Sequence, residues 1–113
     1  PMAQGLLLDK FRPEDPPRFA EGDNRRNGRW FKKEYLEKLA PCLDRIKERF
    51  GSAREDLIRV SLQYVLGYEA VSCVIPGFRS VPQAEMDLVP AGNPLSGGEI
   101  AWIRETLVEV MMT

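Results

Sequence analysis

The segment 71–83 places the strongest constraint on how this chain can fold. Its first five residues, 71–75, are β-branched or small, which is typical of a short strand buried on both faces. A proline–glycine pair ends that strand. Ser80 and Gln83, three residues apart, form a capping-box pattern and predict that a helix begins near Val81. The expected local structure is therefore a strand, a tight loop and a helix N-terminus.

A loop of this kind is suited to binding an anion. Free backbone N–H groups and the positive end of a helix dipole point into the crevice beyond the strand. Arg79 lies inside the loop, and its guanidinium is able to hold a phosphate through two parallel hydrogen bonds. The alternative is purely structural: Ser80 and Gln83 only cap the helix, and Arg79 pairs with Glu85 or Asp87. The residues alone leave both interpretations open.

The same segment carries a resemblance to a known family. The pattern is Ile75-Pro76-Gly77-Phe78-Arg79-Ser80 with Gln83, preceded by residues 61–66. It resembles the last strand and following helix of the aldo-keto reductases, and residues 1–7 resemble that family's segment after the seventh barrel strand. The resemblance implies that residues 1–113 form a single partial domain, the C-terminal third of a (β/α)8 TIM barrel. We expect a fold that is mostly α, with one or two short β-strands.

The resemblance also implies a site for NADP(H). The residues it assigns to the cofactor are Gly5, Gly77, Phe78, Arg79, Ser80, Gln83 and Asp87. Arg79 and the loop backbone would hold the 2′-phosphate and adenosine, and Gln83 would reach the ribose or adenine. Asp87 stands where the family generally has an asparagine that reads the adenine. Gly5 would belong to a backbone cradle around the pyrophosphate.

No catalytic residue follows from the resemblance. The family's tyrosine acid, with its lysine, aspartate and histidine, precedes the matched region, so we expect this chain to be an inactive segment of a longer oxidoreductase. That parent would reduce a small carbonyl substrate by hydride transfer from NADPH. The rival interpretation is a non-catalytic helical module that binds a protein partner through its apolar helix faces.

Composition excludes several classes of function. The chain has no histidine, which removes Ser-His and Cys-His nucleophilic machinery and most zinc sites. A net charge of −1 gives no reason to expect nucleic acid or an anionic membrane surface. The basic stretch 25–33 contains Trp30 and Phe31, but nearby carboxylates offset its charge, so single-stranded nucleic acid is a weak third interpretation. No long apolar run or signal peptide is present, and a cytoplasmic location is expected. Cys42 and Cys73 are expected to be buried free thiols.

Periodicity predicts helices on both sides of the central segment. Apolar residues three and four apart indicate a helix over 33–50, which either kinks at Pro41 or begins again with Pro41 at its first position. Capping patterns at Ser52 and Ser96 predict two further helices, over 53–66 and from 97 onward. Residues 11–32, rich in proline and glycine, are predicted to form a loop whose aromatic end folds onto the core. We also expect the unpaired edge of strand 71–75, unless residues 3–8 cover it, to favour a homodimer.

Overall fold

The computed structural model describes residues 1–112 and consists of four α-helices joined by loops. The helices are α1 (Lys33–Phe50), α2 (Arg54–Leu66), α3 (Val81–Leu88) and α4 (Gly97–Met111). Three short 3-10 helices precede them, at Ala3–Leu8, Asn24–Asn27 and Arg29–Phe31. Across the described range there is no β-strand, and a single isolated bridge joins Arg12 to Asp15. The molecule is all-α.

The predicted fold class, a mostly α barrel segment with one or two short strands, is therefore wrong. Residues 71–75 form no regular secondary structure, and Ile75 is 85% exposed. The physical reason is the lack of a partner, since the side chains of a buried strand become buried only when neighbouring strands and helices cover both faces. β-branched residues favour a strand only where a neighbouring sheet covers their side chains, and residues 1–112 form no such sheet.

Residues 3–8, the only candidate partner for that strand, fold into 3-10 turns instead. Ala3, Gln4 and Gly5 have φ angles of 49°, 57° and 94°, which are incompatible with an extended ladder. Leu6 and Leu8 are buried by this turn, and the segment packs against α2. Burial of two leucines holds the N-terminal segment in place, contributing roughly 1.5–3 kcal/mol per side chain.

The core lies between α1, α2 and α4, as the periodicity predicted. Each helix buries one apolar stripe, and the most completely enclosed side chains are Leu36, Leu43 and Ile103. The α1 helix continues through Pro41, which confirms the interpretation of a single helix; it ends before Gly51, whose φ of 108° suits a glycine. No helix in residues 1–112 is both long and apolar enough to cross a membrane.

Helix caps agree with the sequence patterns in two of three places. Ser96 and Glu99 form the predicted reciprocal box at the start of α4. The box predicted for Ser52 and Glu55 is wrong, because Asp56, one residue later, accepts the Ala53 N–H at 3.1 Å. Only this half of the box forms at α2, since alanine has no side-chain acceptor.

The loop 11–32 closes over the end of the core through aromatic side chains. Phe31 is buried, and the rings of Phe11, Phe19 and Phe31 contact one another edge to face at centroid distances of 5.0–6.1 Å. The prediction that the aromatic end of this loop folds onto the core is confirmed. Both cysteines are free, but Cys73 is exposed because the strand that was to bury it does not form, so that part of the prediction is wrong.

Candidate functional site

The candidate site is built on the N-terminus of α3. The helix begins at Val81 because the Ser80 hydroxyl accepts the Gln83 N–H at 3.3 Å. The Gln83 side-chain oxygen reaches back one residue further than in a standard capping box and accepts the Arg79 N–H at 2.7 Å. Arg79, Ser80 and Gln83 are thus held together as predicted, with Gln83 bound to the residue before the cap.

These internal hydrogen bonds decide which backbone donors remain for a ligand. The N–H groups of Arg79 and Gln83 are occupied, and Pro82 has none. The N–H groups of Ser80 and Val81 have no acceptor among the described residues. An anion at this helix end would therefore meet two backbone donors together with the positive end of the short helix dipole.

The Arg79 guanidinium is exposed and forms no ion pair within residues 1–112. Of the structural alternative, the pairing of Arg79 with Glu85 or Asp87 does not form, while the capping by Ser80 does. The carboxylate of Asp23, in the loop 11–32, lies within electrostatic range of Arg79. Hydrogen bonds from Arg25 are the main reason why the pKa of Asp23 falls to about 2, and Arg79 lowers it slightly further.

An open depression of about 440 Å³ lies beside this helix end. Its wall is mainly apolar, with one carboxylate and one guanidinium. The lining residues are Phe78, Arg79, Ser80, Val81, Ala84, Glu85 and Leu88. Phe78, Val81 and Leu88 are 62%, 70% and 72% exposed, which is a large exposure for apolar side chains on a chain of this size. The arrangement offers a cation next to an apolar surface, which matches a ligand with a phosphate next to an aromatic ring.

The other predicted residues are more dispersed. Gly77 borders open space. Gly5 is covered on its side-chain face by Lys10 and Phe11, and its φ of 94° explains the glycine without a ligand. One carboxylate oxygen of Asp87 is enclosed with no hydrogen-bond partner in the described chain, and burial raises the pKa of this group. An enclosed acceptor of this kind suits a donor such as an amino group.

Sequence reasoning missed two residues that shape the site. Gln63, a polar residue of α2, is buried and donates to the Pro90 carbonyl at 2.8 Å, which anchors the chain just after α3. Asp23 was treated only as one of several charges that offset a basic stretch. Neither role has a local signal, because the partners are 27 and 56 residues away along the chain.

Residues 1–112 hold no group of three or more cysteine or carboxylate side chains able to bind a metal. No family model, curated protein or solved structure matches the chain.

Proposed function

We propose that this chain is the cofactor-contacting segment of an NADP(H)-dependent aldo-keto reductase, and that the loop 77–83 binds the 2′-phosphate of the nucleotide. The observation that carries the proposal is the unpaired Arg79 guanidinium at the start of α3, beside an open, largely apolar depression. Catalysis, the reduction of a small carbonyl compound by hydride transfer, would depend on residues outside this chain.

The chemistry of the loop supports a phosphate ligand. A guanidinium presents two N–H groups in the plane that phosphate oxygens prefer, and charge-assisted hydrogen bonds are about twice as strong as neutral ones. The free N–H groups of Ser80 and Val81 would add two further donors. Their alignment with the helix dipole favours a group carrying more than one negative charge.

The apolar wall supports an aromatic ring next to the phosphate. Phe78, Val81 and Leu88 offer exposed apolar area on which an adenine could lie. Glu85 lines the same depression and would repel a phosphate, so the phosphate is expected at the Arg79 end and the ring at the Leu88 end. Gln83, Asp87 and Gly5 stay in the proposal as the ribose, adenine and pyrophosphate contacts that the resemblance implies.

The experiment is a titration of the chain with 2′-phospho-AMP, AMP, NADPH and NADH, followed by amide NMR shifts of Ser80 and Val81. We expect saturable binding that prefers the 2′-phosphorylated ligands. Arg79→Ala should weaken that binding by about tenfold or more, since a hydrogen bond to a charged group is lost. Arg79→Lys, which keeps the charge but not the planar fork, should fall in between.

Arg54→Ala is the matched control, because Arg54 is also an exposed arginine near a helix N-terminus but does not line the depression beside α3. Binding of AMP and 2′-phospho-AMP with equal affinity would contradict the proposal. So would 2′-phosphate binding that is unchanged in Arg79→Ala.

A second candidate, the helical protein-interaction module, is favoured by a different observation. The exposed apolar side chains Ile75, Phe78, Val81, Leu88 and Val89 all lie between residues 75 and 89. A concentrated apolar surface of this kind marks sites where proteins meet. This function predicts no nucleotide binding at any concentration. A cytoplasmic location belongs to both proposals and agrees with the free thiols of Cys42 and Cys73.

A further inference from the structure

Two tyrosines and an arginine form a compact cluster away from the loop before α3. Tyr64 lies in α2 and Tyr68 follows two residues after its end, and their hydroxyl oxygens are 2.9 Å apart. Arg104 of α4 donates to the Tyr68 oxygen through two nitrogens, Nε at 3.1 Å and an Nη at 2.6 Å. The guanidinium also lies 5.3 Å from the centre of the Tyr68 ring.

The geometry places an unusual number of donors around one phenol oxygen. A tyrosine oxygen usually donates one hydrogen bond and accepts one or two. In this cluster the Tyr68 oxygen accepts two N–H groups from Arg104, so the Tyr64 hydroxyl is best placed to act as the third donor. Three donors directed at one oxygen stabilise negative charge on that oxygen.

The electrostatics agree with this arrangement. The titratable and charged groups that face Tyr68 are Tyr64 from α2 and Arg104 from α4. The hydrogen bond with Tyr64, followed by the contact with Arg104, lowers the pKa of Tyr68. Burial raises the pKa of Tyr64, so Tyr68 is the hydroxyl of the two that loses its proton more readily.

Accessibility separates Tyr68 from the other tyrosines. Its side chain is 37% exposed, whereas Tyr35 and Tyr64 are half-buried. Tyr35 packs edge to face on Trp30 at a centroid distance of 5.0 Å, and burial raises its pKa. Tyr68 therefore combines an anion-stabilising environment with the greatest residue exposure of the three tyrosines.

We propose that Tyr68 is a nucleophilic modification site whose hydroxyl takes an acyl group from small activated acyl donors. The reaction is an acyl transfer without a change of oxidation state. The Tyr68 oxygen attacks the acyl carbon and forms an ester bond, while the bond from that carbon to the leaving group breaks. The leaving group departs with the electron pair and takes a proton, and the phenol proton passes to solvent. Arg104 and Tyr64 stabilise the negative charge that develops as the proton leaves, and one of the three hydrogen bonds to the Tyr68 oxygen breaks to free the lone pair that attacks.

The test uses N-acetylimidazole as the acyl donor at about pH 8, well below the ordinary tyrosine pKa. Acetylation of each of the three tyrosines is followed by peptide mass spectrometry over time. We expect Tyr68 to react about tenfold faster than Tyr35 or Tyr64, because charge-assisted hydrogen bonds favour its reactive form. The native chain should also show one tyrosine that ionises earlier than the others in an ultraviolet absorbance titration.

Three variants assign the effect to the cluster. Arg104→Gln removes the guanidinium, and Tyr64→Phe removes the hydroxyl donor without changing the ring. Each should slow acetylation of Tyr68 by about fivefold or more. Arg45→Gln is the matched control, because the Arg45 guanidinium lies 5.5 Å from the centre of the Trp102 ring and makes no contact with Tyr68. In this variant Tyr68 should be acetylated at the wild-type rate.

Far-UV circular dichroism checks that each variant is folded. If Arg104→Gln does not fold, Tyr64→Phe still tests the proposal. Acetylation of Tyr68 no faster than that of free N-acetyltyrosinamide would overturn the proposal. The same holds if Tyr68 reacts rapidly but Arg104→Gln and Tyr64→Phe leave its rate unchanged.

Discussion

Gly67, the residue that follows α2, lies directly against the Ile100 side chain of α4. A methyl group at this position would collide with the Ile100 Cδ1 and would lie 3.3 Å from the Gln63 carbonyl oxygen. Its φ of −71° is ordinary, so the backbone conformation does not require glycine. The absence of a side chain therefore serves the packing between these two helices.

We expect Gly67→Ala to lower the free energy of unfolding by about 1–3 kcal/mol, because overpacking displaces the buried Ile100 side chain. Urea denaturation measures the change. Gly77→Ala is the control, because a methyl group added at Gly77 would meet no other side chain or backbone segment of residues 1–112 within 4 Å. The unfolding free energy of this variant should stay within about 0.5 kcal/mol of the wild type. Equal effects in the two variants would contradict the close-packing argument.

At the scale of the element, the helices could be predicted from the sequence. Apolar periodicity together with local stop and cap residues placed both ends of α1 and α2, and the start of α4, within one residue of their observed positions. Ser80 and Ser96 act as caps through hydrogen bonds to residues only three positions away. Helix starts depend on residues close together in the sequence, which explains why they could be predicted from it.

The strand at 71–75 could not be judged from the sequence, because a strand depends on a partner. Residues 3–8 do not pair with it, because Ala3, Gln4 and Gly5 have positive φ angles. Such angles are rare at non-glycine residues such as Ala3 and Gln4. The capping of α3 by Ser80 was predicted correctly, whereas the fold around it was not. The hydrogen bonds of this cap are local, whereas Asp23 enters the candidate site through tertiary structure alone.

Asp23 provides a pH-dependent test at the scale of one element, the 3-10 helix Asn24–Asn27. Its carboxylate accepts the Arg25 N–H at 2.9 Å and two guanidinium hydrogen bonds at 3.0 and 2.7 Å, which lowers its pKa from 3.8 to about 2. Because the pKa of Asp23 is lower in the folded chain than in the unfolded chain, its ionised carboxylate stabilises the fold fully above about pH 4. This stabilisation is lost as the pH falls through about 2.

We expect Asp23→Asn to lower the Tm above pH 4, with a difference from wild type that shrinks to nothing near pH 2. Asparagine keeps the helix cap, so the variant isolates the charge. Asp15→Asn, in the same loop but without an ion pair among the described residues, is the control. A Tm difference that is constant from pH 7 to pH 2 would show that the charge is not responsible.

At the scale of the whole molecule, the exposed apolar surface between residues 75 and 89 is expected to drive self-association. Backbone groups in residues 72–76 have no hydrogen-bond partner among the described residues, and a second copy could pair with them along the chain. The dimer that the sequence suggested therefore remains a prediction, with strand pairing formed between chains.

Sedimentation velocity over increasing protein concentration measures this association. We expect Ile75→Lys to weaken it by about tenfold or more, because a charge would be buried in the new interface. Val108→Lys, which places the same charge at an apolar side chain that is 41% exposed on α4, should have no effect. A monomer at the highest concentration reached would contradict the prediction.

The long connection between α2 and α3 has a consequence for how the chain can be divided. Residues 67–80 link the two halves with few packed side chains, while α4 in the second half packs against α1 in the first. Trp102 packs edge to face against Phe50 at a centroid distance of 5.9 Å, and the Arg49 guanidinium lies 4.6 Å from the centre of the Trp102 ring, so this contact does not depend on the connection. The fold is therefore suited to fragment complementation: two peptides, divided after Pro76, would reassemble one core without a covalent link.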